Sequence, residues 1–198
     1  WHEPVASASL AGLEALDAWM RTTQRQVAAA ASSPDHRVTD VFGFWQDGEW
    51  AIMLDPSYAQ ASDRKALTAL SERFGLALSF IVETSGGCAF FDACREGQPL
   101  RRIQSIDGEV TAEGERLPQE AGRAESSYFI EETEALQLAF GITPPGRLAR
   151  DKPVIARSYV DRTDYGAPVR ARRAAAGAGP SAVAPPRSPV DKPWWRFW

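Results

Sequence analysis

The spacing of apolar residues near the start of the chain predicts a helix over residues 10–31. Four residues fall on one stripe at intervals of three, four and seven, the helical period: Leu13, Leu16, Met20 and Val27. Ser9 is suited to cap the first turn, and the Ser-Ser-Pro run at 32–34 is suited to end the element. Because the stripe is narrow and Trp19 flanks it, we expect the helix either to pack on the rest of the chain or to pack on a partner.

The strongest local signal is a hairpin over residues 38–55. Two strand-like runs, 38–46 and 49–55, are separated by Asp47-Gly48. That dipeptide favours a two-residue type I′ turn, because both of its positions need positive φ. Trp45 and Trp50 flank the turn and are expected to pair across it. They are interpreted either as core side chains or as an aromatic patch that faces a ligand.

The remaining pattern predicts a helix at 63–74, strands at 76–83 and 88–94, a hairpin at 100–112 that turns at Asp107-Gly108, and a helix at 130–140. The strand at 76–83 is apolar on both faces, so it is expected to be central in its sheet. The alternating polar residues Arg101, Arg102, Gln104 and Glu109 place the hairpin at 100–112 at a water-exposed edge. Together these elements predict the α+β class, with an antiparallel sheet and helices packed mainly on one face.

The charge of the chain divides into two opposed parts. The 198 residues have a net charge of −4, but residues 1–146 carry 11 Lys/Arg and 22 Asp/Glu, which leaves −11. Residues 147–198 carry 11 Lys/Arg and 4 Asp/Glu, which leaves +7. An acidic body argues against nucleic acid as the ligand of the domain and favours a protein partner with a basic surface.

The composition predicts three regions. Residues 1–146 are expected to form the acidic α+β domain with its N-terminal helix, and residues 147–170 a partly ordered strap on that domain. Residues 171–198 are poor in bulky apolar side chains until their end, which predicts a flexible basic tail with an aromatic C-terminal peptide.

Four aromatic side chains and one arginine end the chain: Trp194, Trp195, Arg196, Phe197 and Trp198. Three hypotheses account for this peptide. It folds back onto the acidic domain, it docks into another protein, since Trp and Arg are favoured in binding hot spots, or it lies at a membrane surface. The peptide and the two hairpin tryptophans, Trp45 and Trp50, are the predicted interaction residues.

Cysteine and histidine provide little chemistry. Cys88 and Cys94 are six residues apart on a predicted strand, about 20 Å along it, which is too far for a disulfide. The only histidines, His2 and His36, have no ligand spacing to a cysteine and no nucleophile beside them in the sequence. We therefore predict no metal site and no cofactor.

The enzymatic hypothesis depends on three carboxylates on or beside predicted strands, Asp40, Asp55 and Asp92. Solvated or capping roles are the preferred interpretation of them, so the protein is predicted not to be an enzyme.

The apolar runs are far shorter than the ~20 residues of a membrane helix. The expected location is the cytoplasm, with contact to a membrane surface through the tail as the alternative. The first residue is Trp1, so a targeting segment could precede it.

The stretch Phe-Trp-Gln-Asp-Gly-Glu-Trp at 44–50, followed by Leu54-Asp55 and the helix at 66–74, resembles small bacterial α+β proteins of the immunity type. The resemblance covers residues 38–141, and the aromatic-ended tail departs from it. It implies a protein without enzymatic activity that neutralises a toxin through an acidic surface, and it assigns no site residues. The leading hypothesis is thus a non-enzymatic protein-binding module. The alternative is an accessory protein tethered to a membrane or a complex by its C-terminal peptide.

Overall fold

The structure, a computed structural model, describes residues 2–30, 39–124 and 126–161. The strands are β1 (His2–Ala11), β2 (Thr39–Asp47), β3 (Trp50–Leu54), β4 (Leu76–Glu83), β5 (Cys88–Arg95), β6 (Gln98–Ile106), β7 (Glu109–Glu113) and β8 (Pro153–Asp161). The helices are α1 (Gly12–Ala30), α2 (Arg64–Phe74) and α3 (Ile130–Ala139). The predicted tail at 171–198 lies outside the described residues.

The strands form two antiparallel sheets, which confirms the α+β class. Sheet A has the order β1-β8-β2-β3, and sheet B has the order β4-β5-β6-β7. Sheet B is a meander of consecutive hairpins between two helices. The helix α2 packs on the face that carries Ala77 and Cys94, while α3 packs through Leu136 on the face that carries Phe91.

The prediction that residues 76–83 form a central strand is wrong, because β4 is at the edge of sheet B. Its sequence is apolar on both faces for a different reason. Ala77 lies on the face of the sheet that α2 covers, and Val82 belongs to the core on the face that α3 covers. The strand is thus covered above and below by helices although only one neighbour pairs with it.

The hairpin predicted at 100–112 does lie at an edge of sheet B, because β7 is its outer strand, but β6 lies inside the sheet between β5 and β7. Arg101 is buried, and its guanidinium donates to both carboxylate oxygens of Glu120, the shortest contact being 2.8 Å. It also donates to the Gly114 carbonyl at 2.8 Å. In the sequence, Arg101 looks like a residue of an exposed edge strand. It can be buried because these acceptors satisfy its guanidinium.

The core of sheet A lies between the sheet and α1. Leu16 and Met20 of the predicted helical stripe are buried there against Val41, Trp45 and Val154. The sidechain of Val27 lies outside the described residues. Residues 153–161 of the predicted strap form β8, which pairs with both β1 and β2.

The start of α1 differs from the prediction because the chain before it is a strand. Ser9, the predicted cap, pairs with Ile155 in the β1–β8 ladder. The helix begins at Gly12, whose amide donates to the Lys152 carbonyl at 2.8 Å. The small residues of β1 carry little strand signal of their own, so pairing with β8 determines their conformation.

The two Asp-Gly turns behave differently. At Asp107-Gly108 both residues have positive φ, as a type I′ turn requires, and Ile106 pairs with Glu109. At the first hairpin the loop is Gly48-Glu49 and only Gly48 has positive φ, so the predicted type I′ turn is wrong. The cause is a tertiary contact. The Asp47 carboxylate accepts a hydrogen bond from the Thr143 amide at 2.6 Å, and Asp47 remains part of β2.

Candidate binding cleft between the two sheets

A cleft of about 1300 Å³ separates the sheet A half of the molecule from the sheet B half. We call it the cleft. Its walls come from α1 and β3 on one side and from α2, α3 and β4 on the other. The lining is dominated by apolar side chains, among them Leu13, Ile52, Leu54, Leu76, Leu78 and Phe80.

Direct contacts hold the two walls together. The Trp50 indole donates to the Phe140 carbonyl at 2.9 Å, and the two rings meet edge to face with centroids 6.2 Å apart. On the loop after β3, the Tyr58 hydroxyl donates to the Val82 carbonyl of β4 at 3.0 Å. These contacts connect β3 and its following loop to sheet B, so the cleft has a defined geometry.

Three large apolar side chains of the cleft are exposed: Met53 at 37%, Leu70 at 44% and Phe74 at 67%. Leu67, Leu70 and Phe74 form the apolar face of α2, but only Leu67 is buried against sheet B. The face is therefore wider than the surface that sheet B covers. Exposed apolar side chains that cluster in a concave region mark a binding site rather than scattered surface residues.

The two outer strands of the molecule carry the usual protection against pairing with other chains. At the outer edge of sheet A, β1 contains Pro4 and an irregularity in register between Pro4 and Ala6. At the outer edge of sheet B, β7 begins with Glu109 and ends with Glu113. Proline, bulges and charges on edge strands prevent unwanted strand addition.

The inner edge strand of sheet A, β3, lacks these devices. The sequence of β3 is Trp-Ala-Ile-Met-Leu, without a charge or a proline. The edge of β4 is contacted by Tyr58 at Val82, but within the described ranges no strand pairs with β3 other than β2. The cleft thus lies along an unprotected strand edge.

The register of the hairpin shows which backbone groups of β3 are directed to the cleft. Asp47 pairs with Trp50 across a two-residue loop, so Trp50, Ile52 and Leu54 exchange hydrogen bonds with β2. The N–H and C=O groups of Ala51 and Met53 therefore point away from β2. Residues on both faces of β3 line the cleft, as expected where a cavity runs along a strand edge. We call this side of β3 the open edge.

The charged groups around the cleft are mainly acidic. Five carboxylate residues line it, against Arg95 and Arg150: Glu14, Asp17, Glu49, Asp55 and Glu134. Asp17 pairs with Arg21, and Glu134 pairs with Arg147 at 2.9 Å. Glu14 and Glu49 are exposed at the rim. The rim is therefore suited to a ligand that carries positive charge beside apolar groups.

Both hairpin tryptophans predicted as interaction residues line the cleft, but they differ in exposure. Trp50 is half-buried, whereas Trp45 is only 6% exposed and belongs to the core of sheet A. Within the described part of the chain, the buried indole N–H of Trp45 has no acceptor. The ring of Trp50 packs against Phe140 rather than completing the predicted cross-turn pair. The other predicted interaction residues, at 194–198, lie outside the described residues.

The carboxylates of the enzymatic hypothesis are engaged in separate structural contacts. Asp55 is buried and accepts hydrogen bonds from the amides of Ser57, Gln60 and Ala61, which shapes the loop that carries Tyr58. Asp92 lies 3.5 Å from Arg102, and its burial raises the pKa of the carboxyl. The side chain of Asp40 lies outside the described residues.

Cys88 and Cys94 are not bonded to each other, and burial raises the pKa of the Cys94 thiol. Among the described residues, no group of three or more His, Cys, Asp and Glu side chains is placed to hold a metal ion. None of the described helices combines the length and the apolar character needed to cross a membrane.

Comparison of the chain with protein-family models, with curated proteins and with solved structures identifies no match. The resemblance to immunity-type proteins and the absence of enzymatic activity therefore stay predictions. Attachment through residues 194–198 also stays a prediction.

Proposed function

We propose that the protein is a non-enzymatic protein-binding module that captures an extended segment of a partner in the cleft. The segment pairs with the open edge of β3 and so adds a strand to sheet A. The observation that carries this proposal is the uncharged, proline-free edge of β3 facing an apolar cleft. In strand addition, main-chain hydrogen bonds supply affinity and alternate side chains supply specificity.

The size of the cleft favours a peptide segment over a small molecule. Small-molecule sites usually measure roughly 300–1,000 Å³, and this cleft measures about 1300 Å³. The five residues of β3 span about 17 Å, which matches a short strand rather than a compact ligand. The N–H and C=O groups of Ala51 and Met53 provide the donors and acceptors that a peptide backbone requires.

The acidic rim determines the chemistry of the partner segment. The apolar side chains of the partner segment enter the cleft, and Lys or Arg residues beside them face Glu14 and Glu49. Attraction of this kind speeds association and excludes acidic partners. A basic partner is also what the immunity-like hypothesis requires, so the proposal retains that hypothesis in its general form.

Ala51→Pro provides a selective test. Proline at this position removes an N–H that points into the cleft but leaves the hydrogen bonds from β3 to β2 in place. A display library of random peptides is selected against the full chain. The expected consensus alternates apolar residues and has basic flanks, and binding to Ala51→Pro is expected to be weaker by tenfold or more, about 1.4 kcal/mol.

Ala51→Val is the matched control, because valine keeps the N–H and suits a strand. It should bind the selected peptides as the unchanged chain does. Failure to enrich any consensus, or equal binding by Ala51→Pro, would contradict strand addition at β3. Thermal unfolding of both variants verifies that the fold is retained.

A further inference from the structure

We propose that the C-terminal peptide of the same chain, residues 194–198, occupies the cleft when no partner is bound. The inference rests on the proposed function, because it assigns a first occupant to the same open edge. It makes the protein a binding module that carries its own competing ligand.

The sequence of the peptide fits the site chemically. The peptide has five residues, Trp-Trp-Arg-Phe-Trp, as does β3. In an extended strand, Trp195 and Phe197 share one face, and Arg196 shares the other face with the two remaining tryptophans. Both faces are thus largely apolar, as the lining of the cleft is on both sides of β3. Pro193 lacks an N–H, so strand pairing begins after it.

The charges of the two parts are complementary. Residues 162–198 carry seven Lys/Arg and two Asp/Glu, a balance of +5. Residues 1–161 carry 15 Lys/Arg and 24 Asp/Glu, a balance of −9, and five carboxylate residues line the cleft itself. Electrostatic attraction therefore draws the tail to the acidic domain, on which Glu14 and Glu49 are exposed at the rim of the cleft.

The chain is long enough to reach the cleft. β8 ends at Asp161 and is separated from β3 only by β2, so the lateral distance is about 10 Å at the usual strand spacing. The 32 residues at 162–193 can span up to about 100 Å when extended. An intramolecular segment within reach acts at an effective concentration in the millimolar range, so even a weak contact is populated.

Hydrogen exchange of single amides tests the inference in the full chain. In the unchanged chain, the amides of Ala51 and Met53 are expected to exchange at least about tenfold more slowly than in a variant without the aromatic side chains of the tail, since pairing must open before exchange. The amides of Trp50 and Ile52 bond to β2 and should not change, which makes them internal controls. The variant keeps the length and charge of the chain and combines four substitutions: Trp194→Ala, Trp195→Ala, Phe197→Ala and Trp198→Ala.

Two results would overturn the inference. Equal exchange of the Ala51 amide in both proteins would show that the tail does not cover the open edge. Protection that grows with protein concentration would assign the edge to a second copy of the chain.

The peptide selection separates this inference from the proposed function. If the tail competes, peptides selected on the four-alanine variant should bind that variant more tightly than the unchanged chain. If they bind both proteins equally, self-docking fails while strand addition stands. If neither protein selects peptides and the Ala51 amide is unprotected in both, both proposals fail.

Discussion

Sheet B is built from strands that follow one another in the sequence, whereas sheet A takes strands from both ends of the described chain. In sheet A, β8 lies between β1 and β2 and supplies hydrogen bonds to both. The outer edges of both sheets are protected, but the inner edges of β3 and β4 meet at the cleft without charges or prolines along their centres. The comparison shows that local and long-range assembly occur in one chain, and that the cleft lies where the two sheets meet.

The largest change in stability is expected when the buried ion pair of sheet B is broken. Glu120→Ala removes the carboxylate that faces Arg101 in the interior and should lower the free energy of unfolding by about 3–5 kcal/mol. Denaturant unfolding followed by circular dichroism measures the change. The double variant Arg101→Met with Glu120→Leu is the control, expected within roughly 2 kcal/mol of the unchanged chain, because no buried charge is left. A small effect of Glu120→Ala alone would show that the pair does not hold the loop after β7.

The second test concerns the contact between α1 and sheet A. A Cβ at position 43 would collide with Leu16, so Gly43→Ala should cost about 1–3 kcal/mol by overpacking. Leu16→Ala should cost about 2–5 kcal/mol, since Leu16 is 1% exposed. In the double variant the costs should fall short of their sum by about 1 kcal/mol or more. Additive costs would mean that the helix does not pack on β2 as described.

A third test addresses the link between the halves at Tyr58. Burial, followed by the charges of Glu83 and Asp55, raises the pKa of Tyr58 from 10.0 to about 12. The folded state therefore holds the phenolic proton more tightly, so this contribution to stability is present below pH 10 and is lost as pH rises through 12. Tyr58→Phe should remove that alkaline loss and cost about 1 kcal/mol at pH 7 through the hydrogen bond to Val82. Absorbance titration of tyrosinate provides the check, and a Tyr58 that ionises near pH 10 would contradict it.

The smallest changes in stability are expected at the two hairpin tryptophans, which should respond differently to substitution by phenylalanine. Trp50→Phe loses the hydrogen bond to the Phe140 carbonyl and should cost about 1 kcal/mol. Trp45→Phe loses some packing but also removes a buried N–H that lacks an acceptor among the described residues, so its net cost should be below about 1 kcal/mol. Thermal unfolding of the two variants compares them. A larger cost for Trp45→Phe would indicate that its indole has an acceptor.

The sequence was sufficient where neighbouring residues determine structure. The turn at Asp107-Gly108 depends on local backbone preferences and was predicted correctly. The strand β1 was missed because Ala and Ser residues carry little β-propensity and adopt the strand only through pairing with β8. The loop at Gly48-Glu49 was misplaced because Thr143, almost a hundred residues away, binds Asp47.

The candidate site could be predicted only in part for the same reason. The aromatic character of Trp45 and Trp50 is visible in the sequence, but their different exposures follow from α1 and α3. In the sequence, Leu70 and Phe74 have the spacing of ordinary packing residues on one face of a helix. Their exposure depends on how little of α2 the sheet covers, which no local pattern encodes.

The central place of β8 in sheet A has a consequence for the order in which the chain is made. β8 is the last of the described strands to leave the ribosome, yet β1 and β2 meet only through it. Residues 64–140 contain sheet B with both of its helices, and domains tend to fold as units as they emerge. A nascent chain that has emerged only as far as residue 152 therefore has a finished sheet B and an apolar α1 stripe whose sheet is incomplete. During that interval, chaperones have access to a surface that the finished protein buries.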